Sequence, residues 1–113
     1  MTLTNDSYFF SSSLAEQAII HEQGMTTQSL RNDDHVKAIL FGFAGGHELK
    51  AHSAPVPVTL FFLKGDGELS VGQETVRVSA GSLACIAPTV IHAVRAKTPL
   101  VMVLVMAKGG TAL

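Results

Sequence analysis

From His35 to Met106, apolar runs alternate with turn residues at intervals of about eight to twelve positions, the rhythm of an all-β sandwich or barrel. His35–Phe43 reads as a strand. Val36, Ala38 and Leu40 take one side, Ile39, Phe41 and Phe43 the other, and Gly45-Gly46 ends it. Val58–Leu63 is a continuous apolar run, as expected of a strand buried on both faces. Gly65-Asp66-Gly67 then turns or bulges the chain. Glu68–Val71 and Thr75–Val78 alternate polar and apolar about Gly72-Gln73, which predicts a hairpin. After a turn at Ala80-Gly81-Ser82, Leu83–Ala87 and Ile91–Arg95 are strands joined through Pro88-Thr89. Lys97-Thr98-Pro99 leads into a last buried strand, Leu100–Met106. The one helical signal is Ser13-x-x-Glu16, a capping box ahead of Leu14–Ile19, a segment that equally fits an edge strand. Residues 1–34 read as an extension that adds a strand to the barrel or exchanges with a partner. Residues 109–113 read as a loose tail.

Composition narrows the class. The chain of 113 residues is 47% hydrophobic and 15% charged, which fits one globular domain spanning 1–113 and excludes a disordered chain. A net charge of −1 offers no footprint for nucleic acid. Met1–Ser13 has no basic stretch followed by an apolar one, and Leu100–Ala107 is too short to span a bilayer as a helix. The single cysteine, Cys85, excludes an intramolecular disulfide and reads as a small buried hydrophobe within its strand. The expectation is a soluble cytoplasmic protein without nucleic-acid or membrane partners. Several strands are apolar on both sides, so a homodimer is expected, with Leu100–Met106 and Ile39–Phe43 as candidate surfaces.

The candidate chemistry rests on histidine. His52 and His92 each lie beside a strand, and each can act as ligand, general base or satisfied core residue. His47 and Glu48 are the nearest further donors. His47 lies roughly 16 Å from His52 along an extended chain and on the opposite face, and Glu48 has the right parity at roughly 13 Å. Either needs a bend near Lys50-Ala51 to approach; otherwise both are solvated. His21, His35 and Lys64 read as surface residues. No nucleophile–base set or carboxylate pair converges in the sequence, which disfavours acyl transfer and glycoside hydrolysis.

Two stretches carry a family resemblance: Gly46-x5-His52 with Gly65, and Gly81 with Pro88 and His92. In these the chain resembles the small single-domain members of the cupin superfamily over about residues 36–106. The resemblance implies an all-β fold, an antiparallel RmlC-like jelly-roll barrel with a site in its mouth, to which the Ser13 capping signal, read as a helix, would add a short N-terminal helix. It also implies a divalent metal (nickel, zinc, iron or manganese) held by three His and one Glu. Here the second His position holds Ala54 and the Glu position Val58, which leaves only His52 and His92, with His47 or Glu48 as weaker candidates. Thr89 stands where a glycine is often found.

If His52 and His92 converge inside the barrel, strand parity lines the pocket with Ala54, Val58, Leu60, Phe62, Val94 and Met102. Such a cup suits a small, mostly apolar ligand with one polar or anionic group, with the metal weak or absent. The alternatives are a metal-dependent enzyme of dioxygenase or isomerase type, or a purely structural role.

Overall fold

The computed structural model describes residues 1–109; the expected tail lies largely outside them. Eleven strands and one helical turn follow in order. They are β1 (Thr2–Thr4), β2 (Phe9–Ser11), α1 (Leu14–Gln17), β3 (Met25–Asn32), β4 (Val36–Phe43) and β5 (Glu48–His52). Then come β6 (Val58–Lys64), β7 (Gly67–Val71), β8 (Glu74–Val78), β9 (Leu83–Ile86), β10 (His92–Ala96) and β11 (Leu100–Ala107). A five-stranded sheet, β3-β4-β11-β6-β9, stands against a four-stranded sheet, β5-β10-β7-β8, and β1-β2 forms a separate hairpin. Every described pairing is antiparallel.

Strand parity explains the two apolar layers. Phe41, Phe43, Leu60, Phe62, Leu100, Met102 and Leu104 point inward and meet Leu69, Val94 and Ala96 of the facing sheet in the main core. The alternate residues Leu40 and Val101 point outward, where they join Leu30 and the half-buried Phe9, Leu14, Ala18 and Ile20. The two-sided apolarity of β4 and β11 thus has a cause inside the chain: the N-terminal segment lies over the outer face. Most of the two surfaces expected to meet a partner are already buried by this segment or by the core, with Leu40, Val101 and Met102 at most 1% exposed.

The segment is held by polar groups. Ser13 caps α1 by accepting the Glu16 amide, so the capping signal is real, but the helix stops after one turn at Gln17. The Gln17 Oε1 atom accepts the hydroxyls of Thr2 and Ser11 at 3.0 and 2.8 Å, and its carbonyl accepts Gln28 Nε2 at 3.1 Å. Arg31 reaches back from β3 to donate to the carbonyls of Asn5 and Asp6 while its Nε pairs with Asp33 at 2.8 Å.

The polar outer face of the four-stranded sheet is ordered by charge. Glu48, Arg95, Glu68 and Arg77 are successive cross-strand partners, an alternating row over all four strands. At Gly65, with φ of +89°, a β-carbon would lie 2.1 Å from the Pro99 carbonyl oxygen, so the β6–β7 turn accepts only glycine. Cys85 corrects the sequence reading: in β9 the inward residues are Ala84 and Ile86, so the thiol faces out and is exposed.

Candidate functional site

His92 opens β10, and its register partner on β5 is His52. Two residues on in β10, Val94 pairs with Leu49, three residues back in β5. The extra residue is a β-bulge at Lys50-Ala51. It lets Leu49 and His52 both turn inward although an odd number separates them. The bend that either weaker candidate needed exists, yet it brings neither to the pair. Glu48 is exposed and joins the outer charged row. His47 turns toward Phe43, with ring centroids 6.4 Å apart, in the strand-end turn where its amide donates to the Ala44 carbonyl.

The His52 and His92 rings lie 4.3 Å apart, centroid to centroid, tilted by 59°. Each is oriented by its own backbone: His52 Nδ1 is 2.8 Å from the Lys50 carbonyl oxygen, and His92 Nδ1 is 3.0 Å from that of Val90. A carbonyl oxygen only accepts, so both Nδ1 atoms carry the proton, and in the neutral rings both Nε2 atoms present a lone pair. His52 is half-buried. His92 is 2% exposed, and its Nε2 is buried without any hydrogen-bond partner. An unsatisfied buried acceptor costs about 1–3 kcal/mol, so a water or a ligand donor at this atom would be stabilising.

The other expected pocket residues lie inward as parity required, but most are packed. Val58, Leu60, Phe62, Val94 and Met102 are all at most 3% exposed and belong to the main core, and Ala54 packs against it. They form a filled floor beneath the two imidazoles. Above lie two short segments, 53–57 and 87–91, joined by the Thr89 amide donating to the Ala54 carbonyl at 2.7 Å. Thr89 has φ of 70°, the only positive value among non-glycine residues described. The motif glycines Gly46, Gly65 and Gly81 also have positive φ. Sequence reasoning found both histidines but missed the Thr89–Ala54 link. The missing glycine at position 89 was its one visible signal.

The cupin-domain family profile matches residues 39–106. The chain belongs to the cupin family. The same fold recurs among solved structures. The conserved SPY1581 protein of unknown function from Streptococcus pyogenes has a TM-score of 0.83 at 24% identity, covering 98% of this chain and 97% of its own. A Cupin 2 conserved barrel domain protein from Leptotrichia buccalis reaches 0.80 at 27% identity, over 88% of this chain and 48% of its own. KdgF from Halomonas sp. reaches 0.70 at 16% identity, over 74% and 80%. No curated protein sequence matches.

Cupins often bind metals, and the residues here can be tested for that. Ala54 and Val58 carry no donor atom at the two replaced positions. Among the described residues no group of three or more His, Cys, Asp or Glu side chains gathers to hold an ion. The four-ligand centre therefore does not fit this chain. Two imidazole nitrogens are all that the site supplies.

Proposed function

We propose that this cupin is a small-molecule-binding module whose polar anchor is the His52–His92 pair, with a metal weakly bound or absent. The buried, unpartnered Nε2 of His92 carries the reading. The buried His92 ring is held by the Val90 carbonyl, so it is pre-oriented and a ligand loses little entropy on its account. The apolar floor contributes desolvation and shape, and the pair contributes direction. Neither ring has a carboxylate partner, and no nucleophile stands beside them among the described hydrogen bonds. This favours binding over group transfer.

The reading includes a homodimer. Its support is the apolar strip left on the outer face of the five-stranded sheet, where Phe61 and its register partner Leu83 are 38% and 61% exposed. Light scattering on the purified protein gives the mass directly.

The functional test is metal content by mass spectrometry in untagged wild type, His52→Ala and His92→Ala, before and after incubation with iron, nickel, zinc and manganese. The proposal expects well under one equivalent in all three proteins. One equivalent in the wild type, lost in both variants, would overturn it in favour of a metal-dependent enzyme.

A further inference from the structure

Which chemical group does the pair accept? The answer follows from the tautomers and rests on the binding role just proposed. Both Nδ1–H groups are spent on the Lys50 and Val90 carbonyls. With Nδ1 as the donor, each ring in its neutral form turns Nε2 to the site as an acceptor and brings no second donor. A carboxylate or ether oxygen would meet lone pairs with lone pairs. An O–H or N–H group would satisfy the orphaned nitrogen of His92. The flanking segments, 53–57 and 87–91, add no cation: Ser53-Ala54-Pro55-Val56-Pro57 and Ala87-Pro88-Thr89-Val90-Ile91 contain neither Lys nor Arg. They offer apolar surface instead, with Ile91 58% exposed.

We infer that the ligand is a neutral, largely apolar molecule bearing a hydroxyl donor, and that anionic ligands are rejected. This narrows the polar-or-anionic group expected from the sequence. His92 Nε2 is buried and the half-buried His52 ring is its aromatic neighbour at 4.3 Å between centroids, so the proposed hydroxyl reaches it as that ring shifts. His52 is the residue able to move, because it sits on the bulge at the open end of β5 while His92 is enclosed in β10 between β5 and β7. The preference is of the kind that a site built to accept a hydroxyl proton shows against analogues without one.

Phenol, anisole and benzoate share one ring and differ in the group that matters. Their binding to the full-length protein is followed by NMR chemical-shift titration at neutral pH. Phenol is expected to perturb His52, His92 and the 87–91 segment and to bind at least tenfold more tightly than anisole, with benzoate no tighter than anisole. In His92→Leu the advantage of phenol over anisole is expected to vanish, and in His52→Ala, which removes the neighbouring ring and keeps the His92 acceptor, it is expected to persist. Loss of the advantage in His52→Ala, or its survival in a folded His92→Leu, would overturn the assignment to His92. Anisole or benzoate binding at the pair as tightly as phenol would overturn the donor rule and leave the binding role standing. No perturbation at the pair by any probe would overturn both.

Discussion

Thr89 holds a φ of 70°, a region costly for a β-branched residue, three residues before His92. Its amide donates to Ala54 and so ties the two segments above the histidines together. Thr89→Gly should raise stability by about 1 kcal/mol, since relief of strain exceeds the added freedom of glycine in the unfolded chain. A higher urea midpoint at unchanged slope is the expected readout. Asp33 gives a second residue-scale test. Its carboxylate accepts the amides of His35 and Val36 and the Arg31 guanidinium. The Arg31 hydrogen bond above all, then the two amides, holds its pKa far below the ordinary carboxylate value of about 3.9. A lowered folded value means stability that is fully present above the ordinary value and lost as pH falls toward the folded one. Wild type should therefore lose stability more steeply than Asp33→Asn between pH 4 and pH 2 in urea titrations, with parallel behaviour above pH 5. At this scale the histidines were legible because their spacing from glycine and proline is a motif. The outward turn of Cys85 was not, because Leu83–Ala87 is apolar on both parities.

Elements show where alternation fails as a guide. The hairpin β7–β8 and strands β4, β6 and β11 were legible from apolar alternation or continuity. β3 was not: Met-Thr-Thr-Gln-Ser-Leu-Arg-Asn is mostly polar because one side of this edge strand is only half covered. A bend near Lys50-Ala51 entered the sequence reading only as a condition for His47 or Glu48 to approach, since a single inserted residue leaves no mark in composition. Gly42 records a packing event the sequence did not disclose. A β-carbon there would lie 2.2 Å from the Ile19 carbonyl oxygen, so this glycine inside β4 admits the backbone of the N-terminal segment. Gly42→Ala should cost about 2 kcal/mol and raise hydrogen exchange in β1, β2 and α1 while leaving β7 and β10 protected. Uniform exchange across both sheets would show that the segment is not a separable layer.

At the scale of the whole molecule, three layers divide the labour. The four-stranded sheet keeps a charged outer face through the Glu48–Arg95–Glu68–Arg77 row, the five-stranded sheet is covered in part by the chain's own N-terminus, and the space between them holds the core. The all-β rhythm was legible in the sequence because its turns and glycines are local, and the jelly-roll form followed from the family resemblance that those glycines and histidines carry. The covering segment was open between an added strand and an exchanged one because nothing in residues 1–34 encodes which apolar face they meet. The fold closes over its own floor and sets two imidazoles side by side there, with the buried Nε2 of His92 lacking a hydrogen-bond partner among the described residues. The most direct measurement is a long-range proton–nitrogen NMR correlation of the histidine rings in the free, full-length protein at neutral pH. The account predicts that the neutral rings of His52 and His92 carry the proton on Nδ1 and leave Nε2 bare, with both Nε2 signals shifting when phenol is added. A proton on Nε2 of His92 in the free protein would contradict it.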